Sequence, residues 1–122
     1  MDARALARFV ALCRVAIGAG FVVAPQRTAP LWLGGIGAKP GAAFFCRIVG
    51  TRDLVLAAGA LAALAGRGSA RQWVLAGAAA DACDLAATLA IRDQLPQLAA
   101  ANAIATAGTG ALIGLGAATA LD

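Results

Sequence analysis

Long apolar stretches broken by short polar or Pro/Gly-rich segments organise this chain. Residues 5–24, 43–65, 72–91 and 96–120 are each near the roughly 20 residues that cross a bilayer core as a helix. Pro25 closes the first stretch, because proline is tolerated at a helix boundary and breaks an interior. Residues 25–41, PQRTAPLWLGGIGAKPG, are rich in Pro and Gly and predict an irregular segment rather than a long helix. Leu31, Trp32, Leu33 and Ile36 make that segment apolar enough to lie at the membrane surface, with Trp32 at headgroup level. A short polar hairpin, GRGSAR, follows the second stretch, and Ser69 is placed to cap the third helix. Trp73 anchors the start of that helix at the interface, and Pro96 suits the first turn of the fourth. The expected architecture is all-α: an integral membrane four-helix bundle, up-down-up-down, in one domain covering residues 1–122, with an irregular interfacial loop between helices one and two.

Composition agrees. The 122 residues are 61% hydrophobic and only 13% charged, with a mean hydropathy of +0.82. Soluble domains run nearer about 25% charged, and a small soluble fold has too much surface to hide so much apolar side chain. Arg4 and Arg8 ahead of an apolar run give the start of the chain a signal-peptide look. Arg14 interrupts that run, and no clean small-residue cleavage site follows, so a retained first span is expected. Four spans put both ends on one side with Arg4, Arg8, Arg67 and Arg71, against Arg27, Lys39 and Arg92 on the other. Basic residues collect on the cytoplasmic side, which places the termini there, in the plasma (cytoplasmic) membrane.

The net charge of +4 does not predict a nucleic-acid partner, because the basic residues stand singly at or inside apolar runs instead of clustering on a polar face. Membrane lipid is the expected surrounding partner. The chain contains no His, which removes ordinary zinc, haem-His and Ser-His or Cys-His chemistry. Cys13, Cys46 and Cys83 form no CxxC pair and read as small buried hydrophobes. No metal and no cofactor is expected.

The informative residues are the polar ones inside the spans. A charge at the centre of a membrane helix costs about 2.5–3.5 kcal/mol even on the lenient insertion scale. Arg14, Arg52, Asp53, Asp81 and Asp84 all fall near mid-span, and Arg47 lies nearer an end, where it can snorkel. Unpaired and facing lipid, the five would together cost on the order of 12–17 kcal/mol. They are therefore expected to turn inward and pair.

Helical spacing gathers Ala7, Ala11, Arg14, Gly18 and Phe21 on one face of the first span, and Gly77, Asp81, Asp84 and Thr88 on one face of the third. Asn102, Thr106, Thr109 and Ile113 share a face of the fourth. Adjacent Arg52 and Asp53 point about 100° apart, so at most one can aim at the bundle axis. With Arg47 included, three basic side chains balance three acidic ones, and the expected pairing sets Arg14 and Arg52 against Asp81 and Asp84. Gly110 and Gly114 form a GxxxG pattern, read here as close packing within the chain.

The stretch of residues 47–54, RIVGTRDL, followed by a basic turn and WVLAGAAADACDLAATL, resembles a family of small four-span membrane proteins grouped as a domain of unknown function and loosely DoxX-like in layout. The resemblance rests on Arg47, Gly50, Arg52, Asp53 and Leu54 in the second helix and Asp81 and Asp84 in the third. It implies the four-span fold and, through the DoxX-like layout, a redox partnership; it brings no established reaction.

Several functions fit this pattern. Buried Arg–Asp pairs can simply fix which helices pack, but five or six charges in four short spans exceed what register needs, and intramembrane ionisable residues mark function. The first expectation is a binding role, with Arg14, Arg47, Arg52, Asp53, Asp81, Asp84, Thr88, Asn102 and Thr106 around a small amphiphile, an anion or a lipid headgroup, or an accessory role in a larger membrane complex. The second is a small proton-coupled transporter working as a homo-oligomer, with the Asp81/Asp84 pair as carrier. The third is an intramembrane isomerase or cyclase with Asp81 or Asp84 as general acid and Arg52 tuning it.

Overall fold

The computed structural model describes residues 2–121. It is all-α and 88% helical. Five α-helices follow in order: α1 (Ala3–Val23), α2 (Pro25–Leu33), α3 (Pro40–Leu64), α4 (Ala70–Ala90) and α5 (Gln97–Ala118). Short 3₁₀ turns at Gly34–Ala38 and Arg92–Gln94 precede α3 and α5. Three helices, α1, α4 and α5, are long and apolar enough to cross a membrane. The longest helix, α3, has 25 residues but carries Arg47 in its first third and Arg52 and Asp53 at its middle.

Helix ends follow local chemistry. Asp2 accepts from the Ala5 amide at 2.7 Å and opens α1, and Ser69 accepts from the Gln72 amide at 3.3 Å and opens α4. These side-chain oxygens satisfy donors that a helix start leaves without a partner. The Gly66–Ser69 connection turns through two left-handed glycines, Gly66 (φ 92°) and Gly68 (φ 106°). Arg4 reaches from α1 to donate to the Leu64 carbonyl at 3.0 Å, closing the end of α3.

The Pro/Gly-rich segment after α1 departs from the irregular loop expected of it. Residues 25–33 are helical because Pro25 occupies the first turn of α2, where its missing N–H removes nothing and its fixed φ favours the helix. Thr28 donates to the carbonyls of Gly20 and Ala24 at 3.2 and 3.0 Å, tying α2 to the end of α1. Gly34, at φ 58°, stops the helix. The 3₁₀ turn then folds back on α2, and Gly37 is needed there because its backbone lies directly against Ala29 and Pro30. The second long helix consequently begins at Pro40 instead of residue 43, and the fourth begins one residue after Pro96, which is its cap.

The helices pack as two pairs. α1 runs along α3 and α4 along α5, and the pairs meet over smaller areas through α3–α4 and α1–α5. The buried residues are mostly alanine and glycine, so backbones approach closely where they touch, as small residues allow in lipid-facing assemblies. Gly18 of α1 and Gly50 of α3 make one such contact, Gly59 under the Trp73 ring another, and Gly114 against Ala78 a third. The GxxxG glycines of α5 thus face α4: Gly110 against the Asp81 side chain and Gly114 against Ala78. At one end of the pairs Ala7, Ala63, Leu64, Ala70 and Leu121 close a small apolar cluster. At the other, Phe21, Ala29 and Cys46 pack with Trp32, the Phe21 and Trp32 rings edge to face at 5.9 Å.

Candidate functional site

Five charged side chains from three helices meet between the pairs. Arg14 of α1 donates to Asp53 of α3 at 3.0 Å, to Asp81 of α4 at 2.5 Å and to the Gly77 carbonyl at 2.9 Å. Arg52 of α3 holds Asp84 of α4 with both terminal nitrogens, at 2.8 and 2.7 Å, the two-pronged geometry that suits a guanidinium and a carboxylate. Its Nη2 also lies 3.2 Å from Asp53. Asp53 therefore joins two ion pairs into one network running Asp81–Arg14–Asp53–Arg52–Asp84.

Helix phase explains most of this. Arg14 belongs to the buried face of α1 with Ala7, Ala11, Gly18 and Phe21. Asp81 shares the inner face of α4 with Gly77 and Ala78. The absence of a side chain at Gly77 brings Arg14 to that carbonyl, and the absence of one at Gly110 leaves room for the Asp81 carboxylate. On α3 it is Asp53 that aims between the helices, while Arg52 starts from the flank and its long side chain reaches back to the network.

The network is not uniformly enclosed. The side chains of Arg14, Asp53 and Asp81 are only 11%, 10% and 11% exposed, whereas Arg52 and Asp84 are 33% and 40% exposed. The exposed side faces a cleft of about 1000 Å³ between the helix pairs. Phe21, Trp32, Phe45, Val49, Ala103 and Ile113 are among its mainly apolar lining, Arg14, Arg52, Asp53, Asp81, Asp84, Thr88 and Thr106 supply polar groups, and Lys39 borders it at the start of α3. The space on another side of Arg14 is a chamber of only about 20 Å³ under Trp73, Ala78 and Gly114, room for about one water. The network therefore presents one accessible side.

The remaining expected site residues are placed differently. Arg47 does not join the network: its side chain is exposed and its Nε donates to the Val22 carbonyl at 3.5 Å, across the start of α3 and the end of α1. Removing it leaves two guanidinium groups facing three carboxyl groups, one acidic group in excess in place of the expected balance. Thr88 donates to the Asp84 carbonyl of its own helix at 2.7 Å, and Thr106 to the Asn102 carbonyl at 2.7 Å. Asn102 donates to the Trp32 carbonyl at 3.0 Å and holds α5 to α2. Thr88 and Thr106 line the cleft; Asn102 is a tether. Arg52 Nε is a buried donor with no partner among the described residues. Among those residues no group of three His, Cys, Asp or Glu side chains is arranged to hold a metal ion. The sequence reading missed Lys39 and the aromatic cleft wall of Phe21, Phe45 and Trp32; the wall's only signal was an aromatic content confined to a few positions.

Searches against protein-family models, curated proteins and solved structures return no match.

Proposed function

We propose that this chain is a small integral membrane protein that binds an amphiphile in the cleft between its helix pairs. The ligand's polar end sits at the Arg52–Asp84 pair, and its apolar part lies along Phe21, Phe45, Val49 and Ile113. In this reading α3 is a fourth span beside α1, α4 and α5, the four form a bundle in the plasma membrane, and the termini are cytoplasmic. The charges of α3 do not oppose that placement. Arg52 and Asp53 are met by side chains, and Arg47 lies near the helix start, within reach of a headgroup layer. Lys39 and Trp32 then lie at headgroup depth. Arg52, thirteen residues beyond Lys39, lies about 20 Å deeper at ~1.5 Å per residue, close to the middle of a hydrocarbon core of about 30 Å.

The observation that carries the proposal is the joining of a charge network to an apolar cleft of about 1000 Å³, at the upper end of the roughly 300–1000 Å³ of small-molecule sites. A network that served packing alone has no reason to leave Asp84 and Arg52 a third or more exposed on a cleft wall.

Trp32 borders the cleft and reports on it. In Trp73→Phe protein held in nanodiscs of unbrominated phospholipid, dodecyl maltoside with a brominated chain is expected to quench Trp32 saturably. Ala103→Phe, which narrows the cleft, is expected to raise the half-saturating mole fraction several-fold. Quenching that rises linearly and is equal in both proteins overturns the proposal.

A second reading, proton-coupled transport, is favoured by one observation: the network holds a carboxylate in excess, and Asp84 is reachable from the cleft. Reconstituted vesicles test it. Flux driven by a pH gradient and lost in Asp84→Asn supports transport, and no flux above empty vesicles removes it.

A further inference from the structure

The charge excess and the shape of the cleft together define a class of ligand. Resting on the binding role proposed above, we propose that the occupant is a single-chain amphiphile whose polar end is a cation of the alkylammonium type, seated against Asp84.

Both guanidinium groups already have carboxylate partners. Arg14 is enclosed by Asp53, Asp81 and the Gly77 carbonyl. Arg52 is gripped through both terminal nitrogens by Asp84 and touches Asp53. An anion entering the cleft would meet guanidinium groups that are already paired, in a network where carboxylates outnumber them three to two. A cation meets the reverse: three carboxylates share two guanidinium groups, and the most exposed of the three, Asp84, lies on the cleft wall. The sign is therefore opposite to that of the anion which the charge pattern of the sequence also admits.

Among the described residues no other cation near the network cancels the excess. Arg47 turns away to the Val22 carbonyl, and Lys39 borders the cleft at its far end, about 20 Å along α3 at ~1.5 Å per residue. The thiols of Cys13 and Cys46 and the hydroxyls of Thr88, Thr106 and Thr109 also line the cleft and carry no charge. In low-dielectric surroundings an unbalanced carboxylate attracts a counter-charge strongly. The aromatic wall of Phe21, Trp32 and Phe45 accepts an alkyl chain and tolerates a cation passing over ring faces.

Depth selects a single chain over a membrane phospholipid. The carboxylates lie well below the level of Trp32 and Lys39. A phospholipid reaching them with its ammonium would have to drag its phosphate and second chain into the hydrocarbon, past an uncompensated carboxylate. An alkylammonium enters with its charge alone.

Brominated-chain probes differing only at the head test this in the Trp73→Phe protein, in nanodiscs of unbrominated phosphatidylcholine at physiological salt. Dodecyltrimethylammonium is expected to half-saturate Trp32 quenching at a mole fraction on the order of tenfold below dodecyl maltoside or dodecanoate. Asp84→Asn is expected to bring the ammonium probe within about twofold of the maltoside measured in the same variant. Ala87→Lys, an exposed position on the cleft wall one turn from Asp84, keeps the network intact and is expected to weaken the ammonium probe and strengthen dodecanoate. Equal affinities, or preference for dodecanoate, overturn the cation inference and leave the cleft reading standing. Brominated phosphatidylethanolamine binding as tightly as the ammonium probe overturns the single-chain assignment. Absence of saturable quenching by every probe overturns both this inference and the binding role on which it rests.

Discussion

Gly18 of α1 and Gly50 of α3 face one another so closely that a β-carbon on either would lie 2.7 Å from the other's carbonyl oxygen. Arg14 is one turn before Gly18, and Asp53 nearly one turn after Gly50, so this backbone contact sets the separation across which Arg14 and Asp53 pair at 3.0 Å. Gly50→Val is expected to push the two helices apart and cost about 1–3 kcal/mol, the usual range for overpacking. Gly116→Ala is the control, because a β-carbon there meets nothing within 4 Å. It should be stabilising by roughly 0.5–1 kcal/mol through helix propensity alone. Titration with a denaturing detergent, followed by near-ultraviolet circular dichroism, measures both.

Arg14 and Arg47 make a second contrast, because only one of them is surrounded by carboxylates. Arg14→Met leaves Asp53 and Asp81 buried with one guanidinium fewer between them, a change expected to cost about 3–5 kcal/mol. Arg47→Ala removes an exposed side chain held by one long hydrogen bond and should stay within about 0.5 kcal/mol of the parent. Combining Arg14→Met with Asp81→Asn should cost less than the two single changes added together, because the double variant no longer strands Asp81. Simple additivity of the two would show that Arg14 and Asp81 act independently, against the geometry.

Much of the network was legible from helical spacing. The set Ala7, Ala11, Gly18 and Phe21 is buried on one face of α1 as its 3.6-residue period requires, and the pairing of Arg14 and Arg52 with Asp81 and Asp84 follows from four charges inside apolar stretches that must find partners. The role of Asp53 as the link was not legible. Adjacent residues on a helix diverge by about 100°, and only the length of the Arg52 side chain lets both reach one place. A charge balance in the sequence counts Arg47 inward, whereas its position near a helix end gives it a carbonyl partner outside the network. Residues 25–33 hid a helix because proline signals a break in sequence and a first turn in structure. The cleft had no signature in the sequence, since its volume depends on how far the α1–α3 and α4–α5 pairs splay and not on any one residue.

Asn102 shows how a polar residue in an apolar helix can serve as a tether. Its amide nitrogen donates to the Trp32 carbonyl at 3.0 Å, near the point where Gly34 ends α2. Asn102→Ala should cost about 1 kcal/mol, with the loss confined to the α2 end. Hydrogen exchange in detergent is the sensitive measurement: amides of residues 25–38 should exchange several-fold faster, with α4 and the α1–α3 contact unchanged. Uniform acceleration along the chain would mean that Asn102 supports the whole fold.

The path of α3 decides how the proposed bundle sits in a membrane. If α3 crosses, Gly35 and Arg67 flank it on opposite sides; if only α1, α4 and α5 cross, the two lie on the same side. Both positions suit labelling, since each is exposed and a β-carbon at Gly35 meets nothing within 4 Å. With the native Cys13, Cys46 and Cys83 replaced by alanine, Gly35→Cys and Arg67→Cys are expected to react with a membrane-impermeant maleimide from opposite faces of intact cells and inverted vesicles. The physical ground is that α3 need not place a bare charge in hydrocarbon: Asp53 is met by Arg14 and Arg52, and Arg52 by Asp84. Leaving an unpaired mid-span charge in lipid would cost roughly 2.5–3.5 kcal/mol on the lenient insertion scale, so the same experiment in Arg14→Met, Arg52→Met protein, where Asp53 loses both partners, should show labelling of Arg67→Cys from both faces as insertion of α3 becomes incomplete. Labelling of both parent positions from one face would place α3 outside the bilayer.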